Sequence, residues 1–295
     1  MRIYITGNRG FIANHLTREL EAHGHEVVGG DLPEVDYLGD GLEHIKLCAP
    51  DVIIHNAAQV GRVFGEDNVR HTIESNALMT TRVAKVAAEI DARLVFISTS
   101  EVYGDQGDAS CYEGGPCVTP HNLYGLSKRW AEEVAALYAP KGLQIIRLSM
   151  PFGPGLPAGR GRAAIINFLY NALHNEAIPV HKNSERSWCW VGDTVRGMRL
   201  VIERGHRALD ALDYQTGRCI YNIGRSDNAV SMQRVAEIAC ELTGADQSLI
   251  MMIDAPANQT KVKRLSNLKL RELGWEPTVD LEEGMAITLE EVKKM

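Results

Sequence analysis

The chain has 295 residues, of which 45% are hydrophobic and 23% are charged, and its formal net charge is −7. This composition excludes a disordered or collagen-like chain, and the length allows a large core, with about two domains as the prior. A mildly acidic chain without a run of lysine or arginine argues against a nucleic-acid partner and against an anionic membrane surface.

The cysteines and histidines show no spacing typical of a metal site or a disulfide framework. The six cysteines form no CxxC pair, and the ten histidines form no HxxxH or HExxH pattern, so we predict reduced thiols and no metal. The first residues carry no apolar signal region, and no run of 18 apolar residues could span a membrane. We therefore expect a cytoplasmic protein.

Short apolar runs alternate with amphipathic stretches through the first half of the chain. The predicted strands are Arg2–Thr6, Glu26–Gly30, Asp51–His55, Arg93–Ser98 and Leu143–Leu148, and the predicted helices are Phe11–His23, Asn76–Ile90 and Leu123–Tyr138. Strands that alternate with helices indicate βαβ units with right-handed crossovers. The sequence therefore predicts an α/β fold with a doubly wound parallel sheet of the Rossmann type.

The alternation becomes less regular after about residue 150, beginning with a segment at 151–162 that is rich in Pro, Gly and Arg. The further predicted elements are helices at Ala163–Asn175, Val230–Thr243 and Leu281–Lys293, and short strands at Ile178–His181 and Cys219–Ile223. We predict that residues 1–150 form the Rossmann domain, with 192–223 returning to it. Residues 151–191 and 224–295 are then predicted to form a smaller C-terminal substrate-binding domain.

A glycine-rich turn, GNRGFIA at residues 7–13, joins the first predicted strand to the first predicted helix. Its small residues allow the backbone to approach a pyrophosphate, and the helix N-terminus supplies N–H donors and a positive dipole. The turn therefore predicts a dinucleotide site. Its candidate cofactor-binding residues are Gly7, Arg9, Gly10, Phe11 and Ile12.

Asp31 ends the second predicted strand, 24 residues after Gly7. In this setting a carboxylate accepts a hydrogen bond from the ribose 2′-hydroxyl and repels a 2′-phosphate, which favours NAD over NADP. Arg9 could instead reach a 2′-phosphate, and Asp36 is a second candidate at the adenine side. We predict NAD as the cofactor.

Tyr124 and Lys128 lie four positions apart on a predicted helix and therefore share one face. A free phenol has a pKa near ~10, too high for a base at neutral pH, but a neighbouring ammonium favours the phenolate. The pair is suited to taking a proton from a sugar hydroxyl while a hydride leaves.

The segment STSEVYG at 98–104 closes the strand Arg93–Ser98. The carboxyl ends of parallel strands are where open α/β sheets bind ligands. Hydroxyl groups at this end can hydrogen-bond a reacting hydroxyl or ketone, and a carboxylate can serve as base or acid. The predicted catalytic residues are Thr99, Ser100, Glu101, Tyr124 and Lys128.

Together these motifs resemble the extended short-chain dehydrogenase/reductases, in their NAD-dependent nucleotide-sugar epimerase/dehydratase branch. The resemblance covers nearly the whole chain and includes HNAAQV at 55–60, FGPG at 152–155, YNIG at 221–224 and LGWEP at 273–277. It implies further cofactor contacts at Ala57, Ala58, Asn76, Ser98 and Pro151, and contacts with the nucleotide-sugar substrate at Arg162, Arg186 and Arg264.

The resemblance also implies a reaction through transient oxidation at C4 of the sugar. Tyr124 would deprotonate the 4-hydroxyl, and Thr99 would hydrogen-bond the same oxygen. Lys128 would hold the nicotinamide ribose and lower the pKa of Tyr124. The hydride taken by NAD⁺ would later return, so that the cofactor is regenerated in place.

Glu101 stands where the 4,6-dehydratases and uronate decarboxylases of this family carry a glutamate. We therefore favour 4,6-dehydration with proton chemistry at C5, and decarboxylation of a UDP-uronate or epimerisation at C4 are alternatives. Two departures concern the substrate. Ser100 replaces the aspartate of the dTDP-glucose dehydratases, and Met150 replaces an asparagine that contacts the diphosphate in many relatives.

Two other classes of function stay open, a reductase of nucleotide 4-keto sugars and a non-catalytic dinucleotide-binding sensor. The intact Tyr124, Lys128 and Thr99 argue against the sensor, because a sensor needs no phenolate. By resemblance we also expect a homodimer that pairs the helices at 76–90 and 123–138.

Overall fold

The computed structural model describes residues 1–139, 141–156, 164–205, 211–225 and 229–295. Its strands are β1 (Arg2–Thr6), β2 (Glu26–Gly30), β3 (Val52–His55), β4 (Arg93–Thr99), β5 (Ser110–Cys111), β6 (Gln144–Leu148), β7 (Met150–Phe152), β8 (Ile178–His181), β9 (Glu185–Trp190), β10 (Ile220–Ile223), β11 (Ala229–Ser231), β12 (Ile250–Ile253) and β13 (Val262–Leu265). Its α-helices are α1 (Phe11–Ala22), α2 (Leu42–Cys48), α3 (Arg62–Asp67), α4 (Val69–Ile73), α5 (Met79–Glu89), α6 (Leu123–Tyr138), α7 (Ala164–Leu173), α8 (Val191–Arg204), α9 (Ala211–Gln215), α10 (Met232–Thr243), α11 (Leu268–Arg271) and α12 (Leu281–Val292).

Six parallel strands form the central sheet in the order β10-β6-β4-β3-β1-β2. The chain runs from β1 to β2 on one side and then returns to β3 on the other side of β1. The strand order therefore reverses between β1 and β3, which is where doubly wound sheets bind ligands. The predicted Rossmann-type sheet is confirmed.

Helices cover both faces of this sheet, which explains why its strands carry apolar residues at successive positions rather than at alternate ones. On one face, α1 and α8 pack over Ile3, Ile5 and Ile54. On the other face, α5 and α6 pack over residues of alternate parity, including Tyr4 and Ile53. Successive side chains of a strand point to opposite faces, so each strand contributes to both cores.

The segment after residue 150 contributes strands to the central sheet and to two smaller sheets. Strand β10 pairs with β6, so part of 192–223 does join the central sheet. The other strands form a five-stranded sheet, β11-β9-β13-β5 with β7 beside β9, and a two-stranded sheet of β8 and β12. A third core packs α7, α10 and α12 around Phe152 and Trp188.

Two helices begin two or more residues later than predicted. The helix predicted at Asn76–Ile90 is α5, preceded by a π-helical turn at Glu74–Leu78 and by α4. The helix predicted from Val230 begins at Met232, because the Ser231 hydroxyl accepts the Arg234 N–H and caps it. Within the described ranges, no helix is both long enough and apolar enough to cross a membrane.

Candidate active site

The glycine-rich turn lies at the carboxyl end of β1 and opens a cleft of about 1790 Å³. Gly7 has a φ of 67°, and a Cβ there would come within 2.9 Å of the Ala57 Cα. Only glycine satisfies both constraints. Gly10 precedes α1, and no side chain in the described part of the chain caps this helix. Its first N–H groups and positive dipole can therefore serve an anionic ligand.

The adenine side of the cleft carries the carboxylates that the sequence predicts. Asp31 and Asp36 both line the cleft, and Asp31 accepts the N–H groups of Arg9 at 3.1 Å and Leu32 at 2.8 Å. The Arg9 guanidinium is not among the cleft-lining groups, since it pairs with Glu34 at 2.8 Å. This arrangement agrees with a ribose 2′-hydroxyl rather than a 2′-phosphate at this position.

The turn after β3 forms the next part of the cleft through Ala57 and Ala58. The Ala57 N–H donates to the Thr6 hydroxyl at 3.0 Å, which fixes the turn against β1. Phe11, Ile12 and Pro151 also line the cleft.

Asn76 is fully enclosed and is not among the cleft-lining residues. Its side chain accepts the Gln59 N–H at 2.8 Å and donates to the Gln59 carbonyl at 3.0 Å and to the Ser127 hydroxyl at 2.9 Å. Asn76 therefore ties the turn after β3 to α6. These bonds give Asn76 a positioning role, and the direct cofactor contact that the resemblance implies stays a prediction.

All five predicted catalytic residues line the same cleft: Thr99, Ser100, Glu101, Tyr124 and Lys128. They come from the end of β4 and from the first turns of α6. Helix α6 begins after Asn122, whose side-chain oxygen accepts the Gly125 N–H at 2.9 Å. This cap sets the first residue of α6 and therefore the position of Tyr124 and Lys128 on the helix.

Lys128 is buried, and its ammonium donates to the Ile97 carbonyl at 2.6 Å and lies 4.1 Å from the centre of the Phe96 ring. Burial lowers the pKa of Lys128 to about 7, and the charge of Glu132 opposes that fall. The lysine can therefore change its charge near neutral pH.

A buried ion pair lies behind the catalytic residues. Glu132 accepts the Ser98 hydroxyl at 2.5 Å and two bonds from Arg147 at 2.9 and 2.6 Å. Ser98 does line the cleft, but its hydroxyl is bonded to this carboxylate. The ion pair fixes β6 against α6, and the Ser98 hydrogen bond fixes the end of β4 against the same helix.

Glu101 lies in a 3₁₀ turn, Ser100–Tyr103, that Thr99 caps by accepting the Glu101 N–H at 3.3 Å. Its carboxylate contacts the ammonium of Lys263, accepts the Thr260 hydroxyl at 3.1 Å and lies 3.4 Å from the Asn122 side-chain nitrogen. The carboxylate thus has donors from both the N-terminal and the C-terminal part of the chain.

Lys263 is a cleft residue that the sequence reasoning missed by one position. It is buried and lines the cleft, and burial lowers its pKa. Its neighbour Arg264 points to the other face of β13, where it pairs with Glu185 at 2.8 Å and with Asp108 at 3.6 Å. The geometry therefore does not support the expected contact of Arg264 with the substrate. Neighbouring residues of β13 point to opposite faces of the sheet, so Lys263 and Arg264 differ in this way. The register of so short a strand cannot be assigned from sequence.

Arg186 does line the cleft, as expected. Its guanidinium is buried and donates to the carbonyls of Glu185, Lys261 and Thr260 at 2.7–2.8 Å. Burial lowers the pKa of Arg186 to about 10. Arg162 lies outside the described residues. In the described parts of the chain, no cluster of three or more His, Cys, Asp or Glu side chains could hold a metal ion.

The parallel sheet, the glycine-rich turn and the Tyr124–Lys128 pair in one cleft define a short-chain dehydrogenase/reductase with a dinucleotide site. Residues 3–224 match the model of the NAD dependent epimerase/dehydratase family. The chain belongs to this family and is an NAD-dependent enzyme of its kind.

Three relatives place the chain within that family. UDP-glucuronic acid decarboxylase 6 of Arabidopsis thaliana is 28% identical, over 99% of this chain and 89% of its own length. DesIV, the dTDP-glucose 4,6-dehydratase of Streptomyces venezuelae, was solved with NAD bound. It is 26% identical with a TM-score of 0.85, over 100% of this chain and 97% of its own. MoeE5, solved with UDP-glucuronic acid and NAD, is 25% identical with a TM-score of 0.85, over 100% and 99% of the two chains.

Proposed function

We propose that the protein decarboxylates a nucleotide-linked hexuronate, with UDP-glucuronate as the first substrate to test. The observation that carries the proposal is the buried Lys263 ammonium, held against Glu101 inside the cleft. Relatives that match nearly the whole chain include UDP-glucuronic acid decarboxylases, and MoeE5, solved with UDP-glucuronic acid and also with UDP-glucose, supports a UDP-sugar substrate.

The residues present fit NAD. The turn at Gly7 and Gly10 leaves room for a pyrophosphate, the first turn of α1 offers N–H donors, and Asp31 is placed for a ribose hydroxyl. NAD⁺, when bound, accepts the hydride from the sugar C4 and so supplies the redox chemistry.

Tyr124, Thr99 and Lys128 perform the proton chemistry at C4 in this proposal. Tyr124 accepts the proton of the 4-hydroxyl, and Thr99 hydrogen-bonds the same oxygen. The Lys128 ammonium favours the phenolate of Tyr124 electrostatically. The product of this step is a 4-keto uronate, in which the carboxylate on C5 is β to the ketone.

A β-keto acid loses CO₂ because the electrons of the breaking C5–C6 bond move onto the ketone oxygen as an enolate. C5 must then gain a proton. Lys263 is suited to donate it, because burial lowers the pKa of its ammonium. The Glu101 carboxylate holds the Lys263 ammonium in the cleft and neutralises its positive charge. Return of the hydride to C4 then completes a net loss of CO₂ with no net oxidation.

The second candidate is 4,6-dehydration, which the sequence favours and which stays a prediction. Glu101 lies in the cleft at the end of β4, as that reaction needs, and DesIV is a relative. However, dehydration needs Glu101 to take a proton from C5. Its oxygens already face three donors, Lys263, Thr260 and Asn122. This crowding favours decarboxylation.

The test is mass spectrometry after incubation with NAD⁺ and, in separate reactions, UDP-glucuronate, UDP-glucose, dTDP-glucose and GDP-mannose. We expect UDP-glucuronate to give a product lighter by one CO₂. A hexose product lighter by one water would instead establish the dehydratase, and a new isomer of unchanged mass the epimerase. Stoichiometric use of NAD(P)H on a 4-keto sugar would establish the reductase, and NAD binding without any turnover the sensor.

Variants on β13 provide a matched control. Lys263→Met should lower decarboxylation by about a hundredfold or more, as loss of general acid–base catalysis does. Arg264→Gln changes the neighbouring cation that points away from the cleft and should leave turnover within about twofold. Equal losses in both variants would contradict the role given to Lys263.

We also propose the homodimer that the resemblance implies. Helix α6 exposes Leu126, Trp130 and Leu137, which lie 46%, 55% and 67% exposed on its outer surface. Burying such residues stabilises an association. Trp130→Glu should convert a dimer to a monomer in light scattering, and a wild-type chain that elutes as a monomer would end this proposal.

A further inference from the structure

Arg62 is a cleft residue that neither the motifs nor the proposed mechanism uses. It opens α3 and lines the cleft. Its guanidinium donates one hydrogen bond, to the side-chain oxygen of Asn258 at 2.8 Å. In the described part of the chain, no carboxylate lies within 4 Å of it. A guanidinium has five N–H donors, so most of this one's capacity is left for a ligand.

The other arginines near the reacting residues are already committed. The Arg186 guanidinium donates hydrogen bonds to three backbone carbonyls, and Arg147 is paired with Glu132. Arg264 is paired with Glu185 on the far face of β13. Arg62 differs from Arg147 and Arg264 in having no carboxylate partner among the described residues, and it differs from Arg186 in donating to one acceptor rather than three.

Contacts place Arg62 at the reacting end of the cleft. Its partner Asn258 belongs to the segment that also supplies Thr260 and Lys263. The Asn122 side-chain nitrogen lies 3.4 Å from the Asn258 carbonyl and 3.4 Å from the Glu101 carboxylate. Arg62 is thus linked to Glu101 through two residues.

The charges around Arg62 are not balanced within the cleft. Arg62 helps to lower the pKa of His181 and of Arg186, although burial is the larger cause for both. Among the described cleft-lining residues the carboxylates are Asp31, Asp36 and Glu101. The first two lie at the adenine side, and Lys263 neutralises the third. The substrate end therefore has unmatched positive charge.

We propose that Arg62 is a specificity-determining residue that binds a carboxylate on the substrate's sugar, so that the cleft selects acidic over neutral nucleotide sugars. The inference rests on the proposed function and names the side chain that binds the carboxylate of the uronate. Lys263 cannot supply this net charge, because its own charge is matched by Glu101. A planar guanidinium is well suited to hold a carboxylate through two hydrogen bonds.

The test measures binding without turnover, by calorimetric titration of NAD-loaded protein in a Tyr124→Phe background. The ligands are UDP-glucuronate, UDP-glucose and UDP. Arg62→Gln should weaken UDP-glucuronate binding by about tenfold or more, which is about 1.4 kcal/mol. Binding of UDP-glucose and UDP should change by less than about twofold, and Arg62→Lys should be intermediate.

Arg70→Gln is the matched control, because Arg70 lies on the adjacent helix α4 with an exposed side chain paired to Glu74. It should bind all three ligands as the parent does. Circular dichroism and the melting temperature check that Arg62→Gln is folded. Equal weakening for all three ligands would assign Arg62 to the diphosphate and overturn the proposal, as would no weakening at all.

The outcomes separate this inference from the proposed reaction. If the wild-type protein releases no CO₂ but Arg62→Gln still loses selective affinity for UDP-glucuronate, the reaction is wrong and the inference stands. If CO₂ is released and Arg62→Gln binds UDP-glucuronate normally, the reaction stands and the inference is wrong.

Discussion

Replacing Lys128 with methionine should make the nucleotide-free protein more stable at pH 6 while abolishing turnover. Lys128 is buried against one carbonyl, that of Ile97, and the ring of Phe96. Burial lowers its pKa from 10.5 to about 7. The unfolded chain binds this proton more tightly than the folded protein does, so the free energy of unfolding rises with pH between about 7 and 10.5. Below pH 7 the full cost of burying the charged ammonium is present.

The size of the effect follows from that change in pKa. A fall from 10.5 to about 7 corresponds to about 5 kcal/mol, since one unit is worth about 1.4 kcal/mol. Removing the ammonium leaves the Ile97 carbonyl without its donor, which costs about 1–3 kcal/mol. Lys128→Met should therefore gain about 2–4 kcal/mol at pH 6, and the gain should shrink by about 1.4 kcal/mol per pH unit above pH 7.

Urea denaturation at pH 6 to 10, without added nucleotide, measures this difference for the wild type and Lys128→Met. Lys85→Met is the control, because it removes a lysine that is exposed beside the ring of Tyr138, and it should not reproduce the gain in stability that Lys128→Met shows at pH 6. A pH-independent difference for Lys128→Met, or a loss of stability at pH 6, would refute the reasoning.

Three further changes test other parts of the structure. Glu132→Gln leaves the buried Arg147 unpaired and should lower the free energy of unfolding by about 3–5 kcal/mol, whereas Glu132→Gln with Arg147→Met should lie near wild type in urea denaturation. Gly7→Ala should cost more stability than Gly24→Ala, because both glycines have positive φ but only Gly7 lacks space for a Cβ; equal melting temperatures would contradict this. Asp31→Asn should reduce the preference for NAD over NADP by about tenfold in fluorescence titrations, since the repulsion of a 2′-phosphate is lost.

The central sheet could be predicted from sequence because its strands are buried on both faces. Runs such as Arg2–Thr6 and Arg93–Thr99 have an unbroken apolar middle, Ile3–Ile5 and Leu94–Ile97, and each is followed by a turn or helix signal. Thr99, Ser100 and Glu101 were predicted in the cleft from their position at the carboxyl end of β4, and Tyr124 and Lys128 from their spacing on one helix face. Local sequence was sufficient for this part of the site.

The substrate side could not be predicted in the same way. Strand β13 has four residues, and its place is set by pairing with β9 and β5, whose residues are distant in sequence. The register of this strand decides that Lys263 lines the cleft while Arg264 faces away from it. Asn76 shows a second limit, because an amide can contact a cofactor or a backbone turn, and only the packing distinguishes the two.

The division of the cleft between two parts of the chain has a consequence for how such an enzyme can diversify. The cofactor side is formed by turns at the ends of β1, β2 and β3, which cannot change without disturbing the main core. The segment 254–265 forms no strand of that sheet, yet it supplies Thr260 and Lys263 to Glu101. Substrate contacts can therefore vary through this segment, together with Arg62 on α3, without a change in the turns that form the cofactor side.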